Sequence, residues 1–217
     1  MNRLRAGIYV FCLILFGLLC YFAREFSYFP GDVTFSLWLQ GIYLPFLNPV
    51  MKAVSYISSV IPAVITVTLL VIVLWASGRK LESIFIASLT SSAALLNWLL
   101  KLLVSRPRPG IELMEILSEN NGLSFPSGHV TYAVVFFGFL SYLVPRLVKQ
   151  PAVAWTLRSL LILLIFLIAT SRVYLQAHWS SDILGSFLLG GLLLALAINL
   201  YQNRTTGHQR TLGDKNA

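Results

Sequence analysis

Long apolar runs alternate with short polar breaks along this chain, and the runs have the length of a bilayer crossing. A membrane helix needs about 20 mostly apolar residues, within a range of about 17–25. Six runs qualify, at about 6–23, 58–76, 83–104, 129–145, 156–173 and 183–201. In lipid every backbone polar group must be satisfied internally, so such runs form helices. The pattern predicts an all-α, polytopic bundle of six transmembrane helices in one domain over residues 1–201. Arg3 and Arg5 precede the first run as they would a secretory signal. That run lacks a small-x-small cleavage site and more spans follow, so it reads as a retained helix.

Between the first two spans, Asp32 to Ser55 carries Phe35, Trp38, Leu39, Tyr43, Leu44, Phe46, Leu47 and Met51, broken by Pro45 and Pro49. It is too interrupted to span and predicts an amphipathic segment lying in the interface. Residues 202–217 are polar and predict a disordered cytoplasmic tail. There is no internal repeat and no low-complexity tract.

Composition agrees with the pattern. Only 11% of residues are charged, 57% are hydrophobic, and the mean hydropathy is +0.79; soluble domains carry about 25% charged residues. The net charge of +8 resembles a nucleic-acid footprint, but the charges sit at the ends of apolar runs. They act there as topology signals, and no nucleic-acid partner is expected. Lys and Arg in short loops favour the cytoplasmic side. With six spans both termini share a side, and that side carries Arg3, Arg5, Arg79, Lys80, Arg146, Lys149, Arg158, Arg204, Arg210 and Lys215, ten of the sixteen basic residues. The termini are therefore expected in the cytoplasm. Compact length and the lack of organelle signals point to a bacterial plasma membrane. Cys12 and Cys20 both lie in the first span and read as packing residues. The oligomeric state leaves no mark on the sequence.

The remaining basic residues are Arg24, Lys52, Lys101, Arg106, Arg108 and Arg172, and four of them belong to or adjoin three polar blocks. The blocks are Lys101 to Pro109, Pro126 to His129, and Ser171-Arg172 followed by His178 and Asp182. All fall at the extracytoplasmic ends of spans three to six. Ionisable groups at membrane depth are costly and mark function. Phosphoryl transfer needs positioning and charge stabilisation on three equatorial oxygens. Arginine binds phosphate through two donors, and lysine acts as a point charge. Alone, Lys101 and Arg172 would be snorkelling side chains; beside two histidines they form an anion site. Pro107 and Pro109 stop the third span and stiffen the loop that carries Arg108. Ser127 fits an N-cap, Gly128 allows close approach, and the first-turn N–H groups attract an anion. His129 can protonate a leaving oxygen. His178 and Asp182, four apart, share a helical face, so Asp182 can fix one ring nitrogen and leave the other as base or nucleophile.

Lys-x6-Arg-Pro, Pro-Ser-Gly-His and Ser-Arg-x5-His-x3-Asp, in this order, resemble the type 2 phosphatidate phosphatase family of membrane lipid phosphatases. Every motif position is filled between Lys101 and Asp182, and the spacing selects Arg108 over Arg106. The resemblance implies that His178 attacks phosphorus and forms a phosphohistidine, with Asp182 as its partner. It implies that His129 protonates the leaving alkoxide and later activates water. Lys101, Arg108, Ser127, Gly128 and Arg172 would hold the phosphate oxygens, while Ser171 and Pro109 would serve geometry. No metal or cofactor is implied, and one motif carboxylate is too few for a Mg²⁺ or two-metal site.

The expected substrate is a lipid phosphate or diphosphate in the bilayer: phosphatidate, phosphatidylglycerol phosphate or polyprenyl diphosphate. It would enter laterally near the aromatic segment of Phe35 and Trp38. Two other readings are a lipid-linked phosphotransferase with the same chemistry and an anionic-lipid transporter. Transporters favour repeats and midplane polar residues, whereas this cluster lies at one end of the spans. The motifs also resemble vanadium haloperoxidases, which are soluble, and six spans argue against them.

Overall fold

The computed structural model describes residues 3–42, 44–110, 117 and 122–213, with side chains to residue 206. Among these residues there are eight helices and no strand. They are α1 (Arg3–Glu25), α2 (Pro30–Gln40), α3 (Leu47–Ile57), α4 (Val60–Ala76), α5 (Lys80–Val104), α6 (Gly128–Leu147), α7 (Pro151–Tyr174) and α8 (Ser180–Gly213). Five are long and apolar enough to cross a membrane, and the pair α3–α4, bent by 50°, supplies a sixth span. The helices overrun the apolar runs by a few residues because polar side chains extend a helix into the headgroup layer.

The segment Asp32 to Ser55 holds two helices, and Tyr43 between them lies outside the described residues. Its second half, α3, leads directly into α4 across Ser58 and Ser59. Their hydroxyls donate to Ser55 O (3.1 Å) and Tyr56 O (2.8 Å), a local bonding alternative that interrupts the helix ladder. Pro49 falls in the first turn of α3, where its missing N–H costs nothing. Helix α8 runs on to Gly213, and extending a formed helix is far cheaper than starting one. Residues 214–217 lie outside the described residues.

Helix α6 is the hub. Its apolar window is 61% buried, against 11% for α1. Val130, Ala133, Val135, Phe136, Phe139 and Leu143 on α6 are buried within one core cluster with residues of α5, α7 and α8. Glycines set how close α6 and α8 come: a Cβ on Gly190 would lie 2.8 Å from Val134 Cβ. Small residues permit this backbone approach between membrane helices. Gly185 does the same for Phe125, whose ring would lie 2.4 Å from an added Cβ. Phe125 in turn stacks on Phe16 of α1 at 6.2 Å, which seals α1 against the bundle.

The α4–α5 hairpin closes through Gly78 at φ +78°. Gly78 N–H donates to Trp75 O (3.0 Å) and Arg79 N–H to Leu74 O (2.8 Å), which satisfies the last carbonyls of α4. At the other end of α5, Ser105 adopts φ +53° and turns Arg106 back into the protein. Ser124 N–H then donates to Arg106 O (2.8 Å), which draws the second polar block against the first.

Candidate active site

The three blocks converge where α5, α6, α7 and α8 end or begin. Lys101, in the last turn of α5, donates from Nζ to Leu123 O (2.6 Å) and Ser124 O (3.1 Å). Arg108 donates from Nη1 to Ala177 O (2.6 Å) and from Nε to Gly122 O (3.2 Å). Each cation ties two blocks together and presents its charge to the same space. Arg172, 3% exposed at the end of α7, reaches across to Ser55 Oγ on α3.

His178 lies in the α7–α8 loop and is 1% exposed. Its Nδ1 faces Asp182 Oδ2 at 3.4 Å and Ser124 Oγ at 3.4 Å. Its Nε2 faces Arg108 Nη1 at 3.5 Å. Arginine has no acceptor atom and a carboxylate has no donor. The consistent tautomer therefore carries the proton on Nδ1 and leaves the Nε2 lone pair directed at the cations. Burial, then the charges of Arg172, Arg108 and Lys101, push the His178 pKa well below that of a free imidazole. Burial also lowers the Arg108 pKa from its ordinary value.

Asp182 is the third residue of α8. It accepts the N–H of Trp179 at 3.0 Å, which caps the helix, and the hydroxyl of Ser124. Its other oxygen accepts from Arg106 Nη1 at 2.6 Å. One carboxylate thus both caps α8 and faces the histidine.

Ser127 stands at the N-cap position of α6, but its hydroxyl makes no capping bond. That oxygen is buried and has no hydrogen-bond partner, while its N–H donates to Ser186 Oγ (2.8 Å). The first N–H groups of α6 are left for another acceptor. Gly128 approaches Asn97 Oδ1: an added Cβ would lie 3.4 Å away. Asn97, one turn before Lys101, donates to Thr131 Oγ1 at 3.1 Å and reaches Pro126 O at 3.5 Å.

Lys101, Arg108, Gly128, His129 and His178 all line one cavity of about 570 Å³. Its walls come from α4 (Val60, Ala63, Val64, Val67), α5 (Ala93, Ala94, Trp98) and Tyr132 of α6. Phe35 instead lines a separate cavity among α2, α7 and α8, and Trp38 is 62% exposed. Neither Phe35 nor Trp38 lines the cavity that holds the motif residues.

Four contributors were not singled out from sequence: Ser124, Asn97, Asp32 and Arg106. Arg106 was set aside by spacing, yet it is fully buried and bonded to two carboxylates, Asp32 and Asp182. Its signal was the doubled Arg-Pro pair; that of Asp32 was being a lone acid in an aromatic stretch. Among the described residues, no three His, Cys, Asp or Glu side chains gather as a metal site would require.

The PAP2 superfamily matches residues 81–206, and the chain belongs to that family. Phosphatidylglycerophosphatase B of Bacillus subtilis (strain 168) is 28% identical over 159 residues, 70% of this chain and 74% of the relative. The putative undecaprenyl-diphosphatase YbjG of Escherichia coli (strain K12) is 33% identical over 129 residues, 57% of this chain and 61% of the relative. The transmembrane PAP2-type phosphatidylglycerolphosphate phosphatase from Bacillus subtilis has the same fold, with a TM-score of 0.78 at 24% identity over 90% of this chain and 96% of that one. Aquifex aeolicus LpxE aligns with a TM-score of 0.65 at 22% identity over 79% and 96%. The chain is an integral membrane enzyme of the phosphatase class.

Proposed function

We propose that this protein hydrolyses lipid phosphates or diphosphates through a phosphohistidine on His178, without a metal ion. The observation that carries this is the cavity itself. Its head holds two fixed cations and two histidines, and its walls are apolar side chains of helices that face lipid. A phosphate entering from the bilayer reaches His178 while its chains stay among Val64, Val67 and Ala94. Keeping the chains in lipid avoids a cost of about 0.8 kcal/mol per CH₂ exposed to water.

In the first step Nε2 of His178 attacks phosphorus and the bond to the lipid oxygen breaks. His129 gives that oxygen a proton, so a neutral alcohol leaves, or a monophosphate where the substrate is a diphosphate. The proton can arrive with the substrate, since a phosphate monoester has its second ionisation near pH ~6. In the second step water attacks the phosphohistidine and His129 takes its proton. Inorganic phosphate departs and both histidines return to their starting forms. Lys101, Arg108, Arg172, the Ser127 hydroxyl and the N–H groups at Gly128 stabilise the charge on the equatorial oxygens. Asp182 holds the Nδ1 proton throughout. Its oxygens are committed to Arg106, Ser124, Trp179 N–H and His178, which leaves no spare carboxylate to ligate a cation there.

The named relatives make phosphatidylglycerol phosphate and polyprenyl diphosphate the first substrates to try. The Lys and Arg distribution supports cytoplasmic termini and an extracytoplasmic cavity, and the bacterial relatives support a plasma membrane. Three cation–π pairs, Lys80 on Trp75, Arg146 on Tyr142 and Arg158 on Trp155, lie at the opposite helix ends and fit that cytoplasmic belt.

The test is phosphate release by purified protein over a panel of lipid phosphates and diphosphates, with glycerol phosphate as the soluble control, in excess EDTA. Turnover of lipid substrates with vanadate inhibition and acid-labile, base-stable phosphate on His178 is expected. Loss of activity in EDTA with recovery in Mg²⁺ would defeat metal independence. Comparable kcat/KM on glycerol phosphate would defeat the lipid assignment. In a Cys12→Ser/Cys20→Ser background, Asn120→Cys should react with an impermeant thiol reagent on intact cells and Gln150→Cys should not; the reverse overturns the sidedness.

A further inference from the structure

Arg106 is fully buried, and no step of the phosphate chemistry above is assigned to it. Nη1 donates to Asp182 Oδ1 (2.6 Å) and Ser181 Oγ (2.8 Å), Nη2 to Asp32 Oδ2 (2.9 Å), and Nε to Ser27 O (3.1 Å). Its guanidinium also lies over the Phe29 ring, 4.8 Å from the centroid. All of this is buried.

The two carboxylates it joins are placed alike. Asp32 is the third residue of α2 and accepts the N–H of Phe29 (3.0 Å), as Asp182 does that of Trp179 in α8. Asp32 then crosses to α8, where its Oδ1 accepts Ser180 Oγ (2.7 Å) and the Ser181 N–H (2.8 Å). Two helix starts are thereby locked together through one guanidinium. A capping role alone needs no shared arginine, and a buried ion cluster is a poor means of adding stability, because desolvation offsets the attraction. What the arrangement does provide is a fixed orientation for the Asp182 carboxylate. With Oδ1 held by Arg106, only Oδ2 is turned to His178 Nδ1 and Ser124.

We propose that Arg106 and Asp32 are positioning residues for phosphoryl transfer: Arg106 aims Asp182 at His178, and Asp32 takes up part of the Arg106 charge so that Asp182 keeps enough negative charge to stabilise the imidazolium side of the reaction. This rests on His178 being the nucleophile. The charges that act on His178 come from every element around it: Lys101 of α5, Arg108 of the following loop, His129 of α6, Arg172 of α7, Asp182 of α8, and Arg106 with Asp32 behind it. Arg106 and Asp32 lie outside the cavity lining and carry no step of the reaction, so the pair can be altered without touching either.

The experiment uses full-length protein in mixed micelles. Asp32→Asn leaves the whole Arg106 charge on Asp182, which disfavours protonated His178. The acid limb of kcat/KM should move to lower pH. Asp32→Asn/Arg106→Gln removes both charges as a pair, so the net charge of the buried cluster is unchanged. Asp182 then faces His178 undivided, and the limb should move to higher pH. Both variants should lose kcat, by up to ~10² as expected for slight misplacement, with KM within about twofold, because neither residue lines the cavity. Arg106→Lys in the wild-type background should restore the limb to its original position and only part of kcat.

Limbs that move in the same direction, or not at all, overturn the proposal, as does a KM rise with kcat intact. Phosphate trapping on His178 separates this from the reaction scheme itself. Label on His178 with unopposed limbs defeats only the role of Arg106 and Asp32. Label on another residue in the wild type defeats the nucleophile assignment and this inference with it.

Discussion

His178 Nε2 lies 3.5 Å from Arg108 Nη1, so the nitrogen proposed to attack phosphorus faces a permanent cation. A proton on that nitrogen would be repelled, and burial disfavours the charged ring further. The imidazole is therefore held neutral at pH values where a free histidine, with a pKa near ~6.5, is half protonated. Its lowered pKa also means that the neutral form stabilises the fold above about pH 6.5. That contribution is lost as pH falls from there toward the folded-state value. After correction for the substrate's own ionisation, the acid limb of kcat/KM should lie below that of a free histidine, ~6.5. A limb at or above that of free histidine would show that His178 is not shielded as described.

The two histidines should fail differently. His178→Ala removes the atom that carries phosphate and should abolish the covalent intermediate. His129→Ala removes a proton donor, for which a loss of about 10²–10⁴ is typical. Nitrophenyl phosphate leaves without needing that proton, so the His129→Ala defect should shrink on it. Equal defects on lipid and nitrophenyl substrates would take the acid role away from His129.

Chain recognition should map to α4 and α5. Ala94→Trp fills the cavity wall below Lys101 and should lower kcat/KM on long-chain lipid phosphates more than on nitrophenyl phosphate, by at least about tenfold, or ~1.4 kcal/mol. Trp38→Ala lies away from that cavity and should change neither. The opposite result would return the entry route to α2.

Gly185→Ala should couple stability to activity. The new methyl would meet the Phe125 ring at 2.4 Å, and overpacking of this kind costs about 1–3 kcal/mol. Phe125 adjoins Ser124 and the Pro126–His129 block, so displacement of the ring moves the phosphate loop. A lowered Tm in detergent together with reduced kcat is expected; a lowered Tm with full kcat would show the loop to be independent of that ring.

The spans and the three polar blocks were legible because each is a local signal: apolar length for the helices, fixed spacing for the blocks. Lys101, Arg108, Gly128, His129 and His178 meet at one cavity, as the convergence of spans three to six required. What was not legible depended on contacts between distant segments. Arg106 lies two residues before the motif position and looked redundant, yet its partner Asp32 is 74 residues away. The α3–α4 bend depends on two serine hydroxyls bonding back to their own helix, which apolar counting does not register. Ser127 fits an N-cap by residue type, but its hydroxyl is left without a partner in the structure, so its use is set by the site and not by the helix.

Of the seventeen residues in α4, Leu74 is the buried one, whereas α6 is the most buried span. The proposed phosphate site thus adjoins the most buried span, and one wall of the proposed chain-binding cavity lies on a helix whose side chains are mostly exposed on the bundle surface. Substitutions along α4 exchange one apolar surface for another at little cost to folding, yet each reshapes the space beside the bound chain. A lineage could drift from one lipid to another through such changes while Lys101, Arg108, His129 and His178 stay where they are.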